Sequence, residues 1–173
     1  MGLGIGAAAT AMMAAPGRAH ASASASENAV FTARDFGAAG NGSTNDYQAL
    51  QDAIDTACAY QTANQHHRVI LDLEGLTYRF NSPLFVYDKL TIQNGCLHAS
   101  VGSNEVAISA VAAEGTYAEL SCINIKFRKL QYANVIGVKI TDGLRCAFDR
   151  CQFENFRNGN DRSIALVLVG VQV

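Results

Sequence analysis

The chain has 173 residues, of which 49% are apolar and 16% are charged, and its formal net charge is −2. This composition is ordinary for a globular protein with a single hydrophobic core. Proteins that bind nucleic acid need a strongly basic face, so the slight negative charge argues against a nucleic-acid partner.

The cysteine pattern also excludes a common class of site. The five cysteines form no C-x-x-C pair and no zinc-type spacing with histidine. Cysteine is among the most buried residue types, so we interpret these residues as core thiols. One disulfide stays open as an alternative for an exported protein, and an odd count leaves at least one thiol unpaired.

Residues 1–27 differ in composition from the rest of the chain. An apolar run rich in glycine and alanine is followed by Ala19-His20-Ala21, which fits an A-x-A cleavage site. The run is too short to span a membrane, so we expect no stable membrane insertion. A positively charged start is missing, which predicts an export signal that is incomplete at its N-terminus. We therefore expect a secreted or periplasmic protein, with a disordered low-complexity tail as the alternative.

A glycine-rich turn at residues 37–42 leads directly into the one convincing helix, expected at about residues 45–60. Asn45 is a suitable N-cap, and Gln48 three residues later completes a capping-box pattern. Apolar residues then recur at helical spacing, which predicts one buried stripe. These positions are Tyr47, Leu50, Ala53, Ile54, Ala57 and Cys58.

The block DFGAAGNGSTNDYQALQDAID, at residues 35–55, resembles the opening of the pectate-lyase-like right-handed parallel β-helix superfamily. That superfamily includes polysaccharide lyases, glycoside hydrolases and phage tailspikes. The matching positions are Asp35, Phe36, Gly37, Ala38, Gly40, Gly42, Asp46, Ala49, Leu50 and Gln51, whereas Asn41 and Asn45 stand where aspartate is more usual. The resemblance implies an all-β solenoid with an N-terminal amphipathic capping helix. The motif carries no catalytic group, so it implies a fold and not a reaction.

Short strands follow the predicted helix. Two alternating segments flank a turn at Glu74-Gly75, and Gly75-Leu76-Thr77-Tyr78 resembles a second landmark of the superfamily. Segments 84–86 and 90–92 predict two more strands. Asn94-Gly95 alone predicts a hairpin, but in a β-helix the same dipeptide forms a corner between consecutive strands, which is the interpretation we favour.

Strand-like segments recur at a nearly constant interval in the second half. They begin at residues 107, 136 and 163, which are 29 and 27 residues apart, and Phe127 aligns with Phe153. Such self-similarity is typical of a solenoid whose equivalent strands stack. A leucine-rich repeat has a similar period, but its L-x-x-L-x-L pattern is absent. A β-sandwich of short strands remains the alternative.

Alternation within these strands predicts which side chains face the core. The predicted inward set is Ile123, Ile125, Phe127, Val138, Ile140, Cys151 and Phe153, and the outward set is Asn124, Lys126, Lys139, Gln152 and Glu154. The final segment SIALVLVGVQV is an apolar strand run. A solenoid ending there would leave an open edge, so we expect residues 28–173 to be the N-terminal coils of a domain truncated at its C-terminus.

The resemblance implies two kinds of chemistry. Hydrolases of this superfamily use paired carboxylates, whereas lyases neutralise a uronate, often with calcium, and abstract the adjacent proton. Asp142, Asp149 and Glu154 are the candidate catalytic carboxylates, the first two because they flank the corner at residues 143–145. Charges alternate in this segment, so a solvated surface of ion pairs is the alternative. The histidines, His98 among them, are expected on the surface.

The sequence therefore predicts a secreted carbohydrate-active protein that cleaves an acidic or complex polysaccharide by hydrolysis or β-elimination. The alternatives are a non-catalytic, glycan-binding spike, homotrimeric if it is like a tailspike, and an inactive fragment that lacks its groove. No residue pattern identifies a cofactor, and calcium follows only if the protein is a lyase.

Overall fold

The computed structural model describes residues 28–64, 68–112, 117–130, 132–156 and 162–170. These residues form one α-helix, a short 3-10 helix (Ala33–Phe36) and two parallel sheets. The helix is α1 (Tyr47–Ala63) and the strands are β1 (Asn28–Thr32), β2 (Asn41–Asn45), β3 (Arg68–Asp72), β4 (Thr77–Phe80), β5 (Leu84–Val86), β6 (Leu90–Ala99), β7 (Val106–Val111), β8 (Leu120–Lys129), β9 (Ile136–Thr141), β10 (Ala147–Asp149), β11 (Gln152–Glu154) and β12 (Ile164–Val169). The predicted mainly parallel β architecture with one helix is confirmed. The predicted export segment, residues 1–27, lies outside the described residues.

The larger sheet consists of two ladders that share the long strands β6 and β8. The first halves of β6 and β8 lie between β3 and β10, and the second halves lie between β4 and β11. β1 extends the first ladder and β2 the second. The other sheet has the order β12-β9-β7-β5. Every pairing between the described strands is parallel, so the Asn94-Gly95 dipeptide forms no hairpin. It lies within β6, not at a corner between two strands as the favoured interpretation expected.

The predicted alignment of Phe127 with Phe153 is confirmed, whereas the segments predicted to begin at residues 107, 136 and 163 are out of register by one residue, because Ile136 pairs with Val106 and Ile164. Phe127 pairs with Phe153 in the register of β8 and β11, and their rings stack with centroids 4.8 Å apart. Parallel in-register pairing therefore places equivalent residues in columns. One interior column runs from Phe31 through Leu71 and Ile92 to Cys122, and all four side chains are buried.

One predicted core position is wrong. Ile123 is half-buried and pairs with the exposed Asp149, whereas its neighbour Cys122 is fully buried. The reason is the backbone of Asn124, which has a φ of 54° and interrupts the alternation of β8. A residue in this left-handed region bends the strand, so Cys122 and Ile125 both point inward although they are an odd number of positions, three, apart.

The predicted capping box at the start of α1 is also wrong. Asp46, not Asn45, is the N-cap, although Oδ1 of Asn45 does accept a hydrogen bond from the N–H of Tyr47 at 3.4 Å. Gln48 donates to Asp52 instead of completing a capping box. The buried Asp46 carboxylate instead accepts hydrogen bonds from the backbone N–H groups of Ala39 at 2.8 Å and Gly40 at 3.2 Å. It therefore fixes the glycine-rich turn against the helix.

Gln51, the glutamine of the recognised motif, closes the edge of the smaller sheet. Its Nε2 donates to the carbonyl oxygen of Phe85, and its Oε1 accepts from the N–H of Phe85, both at 2.9 Å. β5 is the edge strand, so the amide of Gln51 satisfies backbone groups that would otherwise lack a partner. Within the described ranges, no helix is long and apolar enough to cross a membrane.

Candidate functional site

The outward side chains of the smaller sheet form a surface that we call the aromatic face. Register fixes its members: Phe85 aligns with Ser109, Lys139 and Val167 in one column, and Val111 aligns with Thr141 and Val169 in the other. Tyr87 directly follows β5 at the end of the second column. The aromatic face therefore comprises Phe85, Tyr87, Ser109, Val111, Lys139, Thr141, Val167 and Val169.

Two aromatic rings lie side by side at one end of this face. The ring centroids of Phe85 and Tyr87 are 6.3 Å apart and the rings are 11° from parallel. Phe85 is 38% exposed and Tyr87 is 50% exposed. Aromatic rings combine an apolar face with, in tyrosine, a polar tip, and such rings line many ligand sites. This pair therefore offers a flat apolar platform with a hydroxyl at its rim.

The platform is held in place from behind. The paired hydrogen bonds from Gln51 fix the backbone of Phe85, and this strand packs against α1. Burial, followed by the negative charge of Asp55, raises the pKa of Tyr87, so the phenol stays a hydrogen-bond donor at neutral pH. A rigid platform loses little conformational freedom when a ligand binds.

The rest of the aromatic face mixes apolar and hydrogen-bonding groups. Val111 and Val169 are 39% and 45% exposed. The hydroxyl group of Thr141 lies between them in one column, and the hydroxyl group of Ser109 and the ammonium group of Lys139 lie between Phe85 and Val167 in the other. Hydroxyl and ammonium donors beside an apolar platform suit a ligand that has apolar ring faces and a rim of hydroxyl groups.

Of the three predicted carboxylates, Asp142 is the one at the edge of the aromatic face. It directly follows Thr141, and its N–H donates to the carbonyl oxygen of Val169 at 2.9 Å. Its φ is 52°, and its side chain packs so close to Gly170 that a Cβ there would lie 2.6 Å from Oδ1. Asp142 is therefore fixed between two neighbouring strands.

Asp149 and Glu154 lie on the larger sheet, so the predicted Asp142–Asp149 pair is divided between two sheets. Asp149 is exposed and its Oδ2 accepts from Nε of Arg150 at 3.1 Å. Glu154 is bound by Lys126, with Oε1 and Nζ 2.9 Å apart. The hydrogen bond from Lys126 holds the pKa of Glu154 below its usual range, which favours an ion-pairing role over proton donation at neutral pH.

Asp88 is a second carboxylate at the edge of the aromatic face, and it is not among the residues predicted from sequence. It directly follows Tyr87, as Asp142 follows Thr141. Its Oδ2 accepts from the hydroxyl of Thr62 at 2.9 Å and its Oδ1 from the N–H of Lys89 at 2.7 Å. The shared position after an outward strand residue is the sequence signal that could have identified it.

The described residues do not fit the calcium that a lyase would use. Across the described ranges, no group of three or more histidine, cysteine, aspartate or glutamate side chains is placed to hold a metal ion. Calcium needs six to eight oxygen ligands, usually including several carboxylates.

All five cysteines are free thiols, and burial raises the pKa of Cys58 and Cys122.

Comparisons with known proteins give only distant similarities. No protein-family model matches the sequence, and no curated protein matches it. The structure is similar to ORF18 of Geobacillus virus E2, with 14% identity and a TM-score of 0.46 over 83% of this chain and 39% of that one. It is also similar to a provisionally assigned glycosyl hydrolase from Parabacteroides merdae, with 12% identity and a TM-score of 0.40 over 82% of this chain and 80% of that one. At such values the function has to be inferred from the chain's own residues.

Proposed function

We propose that the two parallel sheets belong to the coils of a right-handed parallel β-helix, as the resemblance of residues 35–55 implies. The support is the in-register stacking of equivalent residues, such as Phe127 on Phe153. The bends at Asn94 and Asn124, both with positive φ, turn the chain between the two ladders of the larger sheet. In this fold, outward positions of equivalent strands form continuous faces along the solenoid.

On this fold we propose a carbohydrate-active protein that holds a polysaccharide across the aromatic face. The observation that carries the proposal is the exposed, nearly parallel ring pair of Phe85 and Tyr87. The faces of sugar rings carry C–H groups that pack on aromatic rings, while their hydroxyl groups need polar partners. Ser109, Thr141 and Lys139 supply these partners beside the platform. We also propose that the protein acts outside the cytoplasm, on the evidence of residues 1–27 alone.

The reaction that we propose is glycoside hydrolysis, with Asp142 and Asp88 as the carboxylate pair. When the strand registers are continued by one residue, Asp88 and Asp142 lie at the same edge of the aromatic face. Two strand spacings separate them, which places their backbones about 9–10 Å apart. Carboxyl groups about 6.5–9.5 Å apart leave room for a water molecule in inverting hydrolases. β-Elimination is the alternative reaction, in which Lys139 would neutralise a uronate.

A non-catalytic glycan-binding spike is the second candidate function. The observation in its favour is that Asp88 is held by two hydrogen bonds, from Thr62 and Lys89, which limit its freedom to exchange protons with a substrate. A spike would be expected to form homotrimers, and glycan binding would then occur without turnover. Product analysis separates this candidate from the hydrolase.

Binding is tested with a panel of soluble polysaccharides in affinity electrophoresis, followed by calorimetry with oligosaccharides of the best binder. Phe85→Ala and Tyr87→Ala are each expected to weaken binding about two- to tenfold, as loss of about 0.5–1.5 kcal/mol of ring contact implies. Tyr117→Ala is the matched control, because Tyr117 is 47% exposed and lies outside the aromatic face. Unchanged affinity in both variants would remove the basis of the proposed function.

Catalysis is tested by measuring products from the same panel. Hydrolysis releases new reducing ends, whereas β-elimination also produces an unsaturated uronate that absorbs ultraviolet light. Asp142→Asn is expected to abolish hydrolysis while leaving binding intact, and Asp52→Asn on the exposed side of α1 is the control. Binding without either product would favour the spike.

A further inference from the structure

A second outward surface, on the larger sheet, carries a concentration of positive charge. We call it the basic face and define it by the outward residues Arg79, His98, Lys126, Arg128 and Glu154. Register places Arg79, His98, Arg128 and Glu154 in one column, on β4, β6, β8 and β11 in that order. Lys126 lies in the adjacent column, between Cys96 and Gln152.

The charges of the basic face repeat along the stacking direction. Neighbouring strands are about 4.8 Å apart, so Arg79, His98 and Arg128 present nitrogen groups at three successive strand positions. Three fixed positive charges, from Arg79, Lys126 and Arg128, stand against the one negative charge of Glu154, which leaves a net charge of +2. A row of this kind matches a ligand with repeated negative groups better than it matches a single small anion.

A shallow cleft of about 320 Å³ opens beside Lys126, at the bends between the two ladders. Gly75 and Gly95 both line it. Position 95 requires glycine because a Cβ there would lie 2.5 Å from the Cβ of the buried Leu73. The polar side chains that line the cleft are two cations and three amides. They are Lys126, Arg150, Asn94, Asn124 and Gln152.

The lining of the cleft favours an anionic oxygen ligand. Its charged side chains are both positive, and amide N–H₂ groups, which have two N–H donors each, suit carboxylate or sulfate oxygens. One N–H of Asn94 already donates to Asp72 at 3.1 Å and one of Asn124 to Oδ1 of Asn94 at 3.4 Å, so each has its second N–H left for a ligand. Arg150 and Lys126 have acidic neighbours, Asp149 at 3.1 Å and Glu154 at 2.9 Å, but these ion pairs are solvent-exposed. Exposed pairs contribute little free energy, so a ligand with several anionic groups can replace them.

We propose that the basic face and its cleft bind an anionic polysaccharide through its carboxylate or sulfate groups, at a site separate from the aromatic face. An anionic group occupies the cleft between Lys126 and Arg150, and the following groups of the polymer meet Arg128, His98 and Arg79. Glu154 acts as an internal counter-ion that the ligand displaces. A glycan fits better than a nucleic acid, because the basic face carries no phenylalanine, tyrosine or tryptophan on which bases could stack and the chain as a whole is slightly negative.

The proposal is tested by calorimetry of the full chain at low salt with oligogalacturonates of increasing length, and with neutral oligosaccharides of equal length. Affinity is expected to rise with length and to fall linearly on a plot of log affinity against log salt. Lys126→Gln and Arg128→Gln are each expected to weaken binding about three- to tenfold. Lys89→Gln is the matched control, because Lys89 forms a similar exposed pair with Glu119 at 3.5 Å.

Glu154→Gln gives the result that distinguishes a binding site from an array of surface ion pairs. It removes the internal competitor of the ligand, so oligogalacturonate affinity is expected to rise about two- to fivefold. Three outcomes would overturn the proposal: equal binding of neutral oligosaccharides, equally tight binding of single-stranded DNA of matched charge, or unchanged affinity in both Lys126→Gln and Arg128→Gln. Tyr87→Ala leaves this binding unchanged, so failure here is distinct from failure of the proposed function.

Discussion

The aromatic face and the basic face are built on the same kind of parallel ladder, yet they differ in nearly every chemical property. The aromatic face presents rings, valines and hydroxyl groups, whereas the basic face presents arginine, lysine and histidine. In a parallel stack, one outward position is repeated at every strand spacing of about 4.8 Å. The character of a whole face therefore follows from the residue types at one or two positions of each repeat.

The two faces also differ in how they are held. The aromatic end is fixed by the hydrogen bonds between Gln51 and the backbone of Phe85, which are partly buried. The basic face is held by exposed ion pairs, such as Lys126 with Glu154. Buried hydrogen bonds contribute to stability and exposed pairs contribute little. Changes behind the aromatic face should therefore unfold the protein more readily than changes on the basic face.

The largest effect is expected from a substitution in the core that supports both faces. Ile125→Ala on β8 is expected to lower the free energy of unfolding by about 2–5 kcal/mol, because Ile125 is 1% exposed and its loss leaves a cavity. Ile123→Ala, the same change across the bend at Asn124, is the control and should lower it by less than half as much. Urea denaturation measures both values. Equal losses would mean that Ile123 is a core residue after all.

The next largest effect is expected from a substitution that acts on the aromatic face and not on the basic face. Gln51→Ala leaves the N–H and carbonyl groups of Phe85 without their partner, so a loss of about 1–3 kcal/mol is expected in thermal or urea unfolding. Gln48→Ala on the exposed side of the helix should change stability little. Sugar binding should weaken in the Gln51 variant while oligogalacturonate binding is retained. Equal weakening of both would contradict independent faces.

A smaller effect concerns the bend that forms the cleft of the basic face. Asn124 has a φ of 54°, which glycine adopts freely and alanine adopts at a penalty of about 1–2 kcal/mol. Asn124→Ala should therefore be less stable than Asn124→Gly by about 1 kcal/mol in urea unfolding. The glycine variant serves as the control for loss of the amide. The reverse order would show that the amide, not the backbone, determines stability here.

The smallest effect is the pH dependence of the basic face. The pKa of Glu154 is lowered in the folded chain, so its contribution to stability is present above the unfolded pKa and is lost as pH falls through the folded one. Burial lowers the pKa of His98, so the contribution of His98 to stability is also lost as pH falls. Glu154→Gln should flatten the fall in urea midpoint on acidification, and high salt should do so in the wild type. A steeper fall in the variant would contradict this sign.

More of the fold than of the candidate sites could be predicted from the sequence. Local signals gave the helix, the strand at residues 84–86 and the alignment of Phe127 with Phe153. The prediction of a capping box was wrong because Asp46 accepts hydrogen bonds from the glycine-rich turn. Local helix propensity does not describe such a contact between segments. The prediction for Ile123 was wrong because the positive φ of Asn124 breaks the alternation between Ile123 and Ile125.

The basic face could not be predicted because its spacing in sequence is irregular. Arg79 and His98 are 19 residues apart, whereas His98 and Arg128 are 30 apart, since the connections between equivalent strands differ in length. Strand register, not sequence period, brings them into one column. The same reason explains why Ser109 and Lys139 could not be assigned to the face of Phe85 in advance.

The central claim is that the two faces bind different ligands independently, and a crossed binding measurement tests it most directly. Tyr87→Ala and Lys126→Gln are each titrated by calorimetry with a neutral oligosaccharide from the panel and with an oligogalacturonate, after unfolding curves confirm that both are folded. We expect Tyr87→Ala to weaken binding of only the neutral ligand and Lys126→Gln that of only the anionic one. If either folded variant weakened binding of both ligands to the same degree, the two faces would be one site, which would contradict independent binding.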